Sequence, residues 1–252
     1  MVGRLILKLL ESRTTTRIHH SKWTQDQFCD RDGVVIPLGN YGDWYRGSLR
    51  GPTPVNRSAE AILFFGMVRP YKGIEQLLDA FQGLPEPGSL TVVGAPIDNE
   101  YGRQIAQRAK VVPRCTAFLE FVDDGTLWRF IKESALVVLP FRSITNSGSL
   151  LTALAGGSPV LVPNSRLAVE SLDEFGGEWV RVYQPPLTSD ELRDALAWAG
   201  TPRPERPAAM HLRSWEDAAN AHLKVYQSAA GAQRRAKHHS PEWRSAHRTS
   251  GA

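Results

Sequence analysis

From residue 61 onward the chain is punctuated by short apolar runs with no polar alternation, at 61–65, 90–93, 117–121, 135–139, 159–162 and 180–183. Strands with one solvated face alternate apolar and polar side chains, whereas strands covered on both faces read as continuous hydrophobic stretches. Between the runs lie segments of helical period, 73–81, 100–109, 125–134, 149–155 and 168–175, and another, 190–198, follows the last run. This alternation predicts an α/β fold: a Rossmann-like, doubly wound, mainly parallel sheet with helices on both faces. In such sheets ligands bind in the crevice at the carboxyl ends of the strands, where strand order switches. The loops that follow strands are therefore where chemistry is expected.

Before residue 60 the pattern predicts a helix over 1–11, a short strand near 17–19, a helix around 23–28 and an extended Val34-Val35-Ile36-Pro37. These elements are too few to close a sheet of their own. After Gly200 a proline-rich connection, 201–207, leads into a helix expected from 214 to 227. The run Leu5-Ile6-Leu7-Lys8-Leu9-Leu10 is short, is broken by Lys8 and is followed by no small-residue cleavage site, so it reads as an amphipathic helix and not as a leader. No stretch approaches the roughly 20 apolar residues that span a bilayer.

Charge changes the picture only at one end. The formal net charge of +4 is carried by the segment 231–252, where Arg234, Arg235, Lys237, Arg244 and Arg248 face Glu242 alone. That segment is rich in Ser, Ala, Gly and His and has too little apolar patterning to offset the entropy of ordering, so it is expected to be disordered. The rest of the chain is neutral, without the basic stripe that nucleic-acid binding requires. Two cysteines, Cys29 and Cys115, do not make a disulfide framework and fit a reducing cytoplasm. His19, His20, His211 and His222 show no metal-ligand spacing.

Two loops carry candidate chemistry. The first, Gly66-Met67-Val68-Arg69-Pro70-Tyr71-Lys72-Gly73, opens into the helix that begins at Ile74. Cations at a helix N-terminus oppose the macrodipole, and a bound diphosphate would reverse the sign of that interaction. Solvated or acid-paired side chains are the competing explanation. The second loop, Phe141-Arg142-Ser143-Ile144-Thr145-Asn146-Ser147-Gly148-Ser149, runs into Leu150-Leu151-Thr152-Ala153. Its serines suit either a helix cap or an anion seat.

The series Phe65-Gly66, Arg69-Pro70-Tyr71-Lys72-Gly73, Thr91-Val92-Val93-Gly94, Phe121-Val122-Asp123-Asp124, Leu136-Val137-Val138-Leu139-Pro140, Ser147-Gly148-Ser149 and Ala155-Gly156-Gly157-Ser158-Pro159-Val160 resembles, in order and spacing, the C-terminal donor-binding domain of retaining glycosyltransferases of the GT-B fold, of the group 1 or family 4 type. His20-Ser21 and Ile36-Pro37-Leu38-Gly39-Asn40-Tyr41 resemble the end of that family's N-terminal domain, and the segment from Ser214-Trp215-Glu216 to Tyr226 its closing helix.

The resemblance implies four segments: 1–50 as a remnant of the N-terminal domain with its connection, 51–200 as the nucleotide-sugar-binding domain, 201–230 as linker and closing helix, and 231–252 as a basic tail. It also implies transfer of a hexose from a UDP- or GDP-sugar to a lipid-linked or polysaccharide acceptor in the cytoplasm, with at most peripheral contact at the inner face of the membrane. Arg69 and Lys72 would hold the diphosphate, and Gly66 and Gly94 would let the backbone approach the donor. Ser147, Gly148 and Ser149 would add helix-terminus amides, and Thr152 completes the set.

Leaving-group charge would be stabilised electrostatically, with no metal, no further cofactor and no assigned catalytic residue.

Three positions depart from the family pattern. Ile144 and Thr152 stand where many of these enzymes place glutamates near the sugar and on the ribose, and Met67 stands where an arginine is usual. Neither replacement can accept hydrogen bonds as a carboxylate does. A non-catalytic nucleotide-sugar-binding or partner subunit is thus the alternative, with a separately encoded N-terminal half as a candidate partner. A nicotinamide dehydrogenase is disfavoured because no Gly-x-Gly-x-x-Gly follows a strand.

Overall fold

The computed structural model describes residues 14, 16–42, 44–45, 57–85, 87–143 and 146–238, with side chains up to 231. The expected helix over 1–11, Ile144 and the tail from 239 lie outside the described residues. The chain divides into two compact units, residues 40–212 and residues 1–39 with 213–252.

The larger unit is a six-stranded parallel sheet. Its strands are β3 (Ala61–Phe65), β4 (Ser89–Val93), β5 (Cys115–Phe118), β6 (Leu136–Val138), β7 (Val160–Pro163) and β8 (Val180–Tyr183), in the spatial order β5-β4-β3-β6-β7-β8. Every neighbouring pair is parallel. This is the doubly wound arrangement the apolar runs predict, and its order reverses between β3 and β6. Ile62, Leu63, Phe64 and Phe65 are all buried, as are Leu136, Val137 and Val138, which is why these runs show no alternation.

The helices that cover the sheet start where the sequence supplies a cap. Asp98, Asp123, Ser147, Ser165 and Thr188 each accept a bond from an amide of the first turn of α3 (Asn99–Val111), α4 (Asp124–Glu133), α5 (Gly148–Ala155), α6 (Arg166–Phe175) and α7 (Ser189–Ala199). Helix α2 (Ile74–Gln82) is the exception, because its N-cap is Gly73 in the left-handed region, with φ of 69°, and has no side-chain cap. A 3₁₀ turn, Pro70–Lys72, stands before it. The first candidate loop thus carries a 3₁₀ turn of its own and opens into its helix at Ile74, as expected. Ile74, Leu77, Leu78 and Phe81 bury the inner face of α2 completely.

One strand differs from the pattern at both ends. The strand expected over 117–121 lies at Cys115–Phe118, because Phe118 already pairs with Val93, the last residue of β4, and no partner remains for the residues beyond it. Phe121 is accordingly 84% exposed. The strand also begins earlier: Arg114 takes a left-handed φ of 59° and its guanidinium donates to the Leu84 and Gly88 carbonyls, which aligns Cys115 with Leu90.

In the smaller unit, β1 (Ile18–His19) pairs parallel with β2 (Val34–Val35), with α1 (Lys22–Gln27) between them, capped by Ser21. His19 bonds Asp30 at 2.8 Å and its hydrogen bond holds that carboxyl below the usual carboxylate range. His20 Nδ1 donates to Ile36 O at 2.9 Å, and His222 Nδ1 to Ala218 O at 2.7 Å, so these histidines make ordinary structural bonds.

The closing helix α8 runs from Trp215 to His238, eleven residues past its expected end, and residues 231–238 of the tail read as disordered are helical. The run Ala229-Ala230-Gly231-Ala232-Gln233-Arg234-Arg235-Ala236-Lys237 is dominated by strong helix formers, and propensity extends an established helix at little cost. Among the described residues no helix is long and apolar enough to cross a membrane.

Gly73 sets how closely α2 approaches β6, since a Cβ there would strike the backbone carbonyl of Pro140. Gly73→Ala should destabilise the fold by about 2–4 kcal/mol through strain and overpacking. Gly200, in ordinary helical conformation at the end of α7, should tolerate alanine with no loss or a gain of about 0.5 kcal/mol. Urea unfolding of the two variants measures both; equal losses would refute the assignment.

Candidate functional site

The reversal of strand order places the loop after β3 beside the loop after β6. At the ends of β3 and β4, Gly66 (φ 116°) donates to Val93 O at 3.0 Å and Gly94 (φ 150°) donates to Phe118 O at 2.9 Å. A Cβ on Gly94 would collide with the Gly66 carbonyl, and one on Gly66 would sit 3.1 Å from Ser149 Oγ. Three of the expected site residues, from three different elements, therefore meet at one point. Beyond them Val68 and Pro96 form a parallel bridge, which continues the β3–β4 pairing into the loops and holds both down.

The second group forms around the 3₁₀ turn. Arg69 is extended and its Nε donates to Met67 Sδ at 2.8 Å. Lys72 Nζ lies 3.5 Å from the centroid of the Phe141 ring and 5.4 Å from that of Tyr71. Burial is the main cause, and the nearby Arg69 charge the second, that lowers the Lys72 pKa to about 8. Among the described residues no carboxylate stands within ion-pairing distance of Lys72. A half-buried ammonium set against aromatic faces recovers only part of the hydration energy it loses. Neither full solvation nor pairing with an acid describes it.

Helix α5 contributes its N-terminus. Ser147 is buried and its hydroxyl oxygen accepts from Leu150 N at 3.1 Å, so it caps the helix. The amides of Gly148 and Ser149 fall in the first turn, where no preceding helical carbonyl can receive them. Gly148 lies against Tyr41, whose ring a Cβ would meet at 3.5 Å. Thr152 is buried within the helix, and its hydroxyl donates to Gly148 O at 2.8 Å. Its proton is committed to the backbone, which leaves only weak acceptor capacity where a carboxylate is common.

The pattern along the chain missed the aromatic and acidic surroundings of the turn. Phe141 follows directly on the β6 run and looks like more core, yet its ring, T-shaped to Phe64 at 6.5 Å, is the floor under Lys72. Glu75, in the first turn of α2, accepts from the Tyr101 hydroxyl at 2.8 Å. Burial first, and then Glu75, push the Tyr101 pKa upward. Gln76 Nε2 donates to Pro140 O at 2.5 Å, and Arg142 N to Tyr71 O at 2.8 Å, which tie the two loops together. Only the threefold meeting of α2, α3 and the β6 loop reveals these contacts.

Comparison with known proteins agrees with this geometry. Residues 59–198 match the family model described as glycosyl transferases group 1. A GDP-mannose:glycolipid 4-beta-D-mannosyltransferase of Xanthomonas campestris pv. campestris is 33% identical over 235 residues, which is 90% of this chain and 64% of the relative. The D-rhamnosyltransferase WbpZ of Pseudomonas aeruginosa is 31% identical over 172 residues, covering 67% of this chain and 41% of that protein. Among solved structures, sucrose-phosphate synthase from Thermosynechococcus elongatus superposes with a TM-score of 0.68 at 21% identity, over 90% of this chain and 61% of that one. At that identity the likeness concerns the fold. The chain thus spans 64% of the length of the mannosyltransferase it matches. With more than half of its residues inside the family model and the switch-point loops arranged as described, the chain belongs to the glycosyl transferases group 1 family.

Proposed function

We propose that this chain is the donor-binding part of a hexosyltransferase that takes a sugar from a UDP- or GDP-sugar and delivers it to a lipid-linked or polysaccharide acceptor. The observation that carries the reading is Lys72, a desolvated cation without a carboxylate partner, at the switch point of a doubly wound sheet. The Xanthomonas relatives, named for GDP-mannose and a glycolipid, support mannose and a glycolipid as the first donor and acceptor to try. Arg69, Lys72 and the amides of Gly148 and Ser149 would receive the diphosphate. As the bond from the anomeric carbon to the diphosphate breaks, negative charge grows on the leaving oxygen, and cations already in place stabilise it without reorganisation. We propose that this suffices without a metal, and that the chain works at the cytoplasmic face of a membrane without crossing it.

A second reading, donor binding without transfer, is favoured by Thr152, whose hydroxyl proton is spent inside α5. Incubating GDP-[14C]mannose and UDP-[14C]glucose with lipid-linked acceptors, with and without EDTA, separates the two. The transfer reading predicts labelled glycolipid at a rate that EDTA leaves unchanged. Donor binding with no label in any acceptor would establish the second reading, and an EDTA-sensitive rate would overturn the metal-free proposal. The anomeric configuration of the product, read by NMR, adds a further test: retention predicts an α-mannoside from the α-linked donor, and a β-mannoside, the linkage in the relative's name, would overturn retention.

Lys72→Ala removes a charge-assisted hydrogen bond worth roughly 1.5–3 kcal/mol and should weaken GDP or UDP binding about ten- to a hundredfold, with the melting temperature barely changed. Titration adds a pH signature. A bound diphosphate restores the proton affinity of Lys72, so its pKa in the complex lies above the free-state value of about 8. Affinity is fully present below that pH and declines as pH rises through it, with uptake of a proton on binding in that range. Calorimetric titration in buffers of different ionisation enthalpy detects that proton; a pH-independent affinity between 7 and 9 in the wild type would remove Lys72 from the site.

A further inference from the structure

Arg142 was not among the expected site residues, yet it stands in the loop after β6, beside the end of β3. Its amide is fixed to Tyr71 O at 2.8 Å, and the preceding residue, Phe141, is the floor under Lys72. Its guanidinium is more than half exposed and lies 3.9 Å from Glu75 Oε2. That separation is an ion pair without a hydrogen bond. Glu75 Oε1 takes the Tyr101 hydroxyl at 2.8 Å, but Oε2 is shut away from water with no hydrogen-bond partner.

Leaving a buried carboxylate oxygen unsatisfied is costly, so the pair is poor as a device for stability. What it does is hold a guanidinium in place while leaving its five donors unspent. A planar fork of that kind matches phosphate oxygens two at a time. With Arg69 and Lys72, Arg142 makes three cations around one turn, against the single carboxylate of Glu75. A surplus of two positive charges at a switch point suits a diphosphate.

Resting on the donor-binding reading above, we propose that Arg142 is a third ligand of the donor diphosphate and that Glu75 is the positioning residue that holds its guanidinium at the crevice. Tyr101 takes up Oε1, so that Oε2, without any other partner, faces the arginine. The acid does not contact the donor and acts through Arg142 alone.

The test is calorimetric titration of GDP and UDP into wild type, Arg142→Ala, Arg142→Lys, Glu75→Gln and the Arg142→Ala/Glu75→Gln double variant, with thermal melts of each and Lys72→Ala as reference. Arg142→Ala is expected to lose about tenfold or more in affinity, as removal of a charge-assisted bond does, with lysine restoring part of it. Glu75→Gln is expected to lose several-fold when Arg142 is present and nothing further when it is absent, the non-additivity that marks action through a partner. Arg142→Ala within twofold of wild type, while Lys72→Ala weakens binding, would overturn this proposal and leave the donor-binding reading standing. A Glu75→Gln loss that persists undiminished in the double variant would overturn the positioning role. Absence of nucleoside-diphosphate binding by the wild type would overturn both.

Discussion

Strand β3 is hydrogen-bonded to β4 on one side and to β6 on the other, and both neighbours run parallel to it. A parallel neighbour can be reached only through a crossover; the one that leaves β3 runs to β4, and the one that enters β6 comes from β5 by way of α4, so the loops after β3 and β6 diverge at the carboxyl end of the sheet. The opening is a consequence of chain topology. The expected site residues lie on segments that border it: Gly66, Arg69 and Lys72 after β3, Gly94 after β4, and Ser147, Gly148, Ser149 and Thr152 at the cap and in the first turns of α5.

Close approach is the second consequence. For the loops to converge on the opening, backbone must pass backbone where ordinary side chains do not fit. Gly94 lies against the Gly66 carbonyl and Gly73 against the Pro140 carbonyl, both with positive φ. The second of these contacts brings α2 and the β6 loop near enough for the Gln76–Pro140 and Arg142–Tyr71 bonds to form. The same convergence removes water from Lys72 and sets it over Phe141. The lowered proton affinity of Lys72 is here a by-product of packing.

How much could be read before the fold was known follows from the range of each interaction. The runs without alternation foretold the parallel strands, most closely the central β3, β6 and β7, where burial on both faces leaves a local mark, and least closely the edge strand β5, none of whose residues is buried. The glycines and the Arg69–Lys72 pair were visible for the same reason. Where the hydroxyls of Ser147 and Thr152 go was not legible: one caps α5 and the other turns back on Gly148 O, a choice made by helix geometry within four residues. The end of β5 was misplaced because an apolar run remains a strand only while its neighbour supplies a ladder, and β4 stops at Val93. The extension of α8 to His238 was legible in its alanines and was outweighed by its charge.

By itself the sequence determined the α/β class, the strand and helix order, and the two loops that carry glycines and cations, because propensity, capping and binary patterning are local properties of the chain. Tertiary structure alone decided what surrounds those cations. Phe141 became a floor for Lys72, Glu75 the partner of Tyr101 and Arg142, and Ser149 the neighbour of Gly66, through contacts between residues brought together from different elements. The physical reason is that desolvation and charge coupling depend on distance in space, and a parallel sheet joins residues that lie some 25 to 80 places apart in the chain.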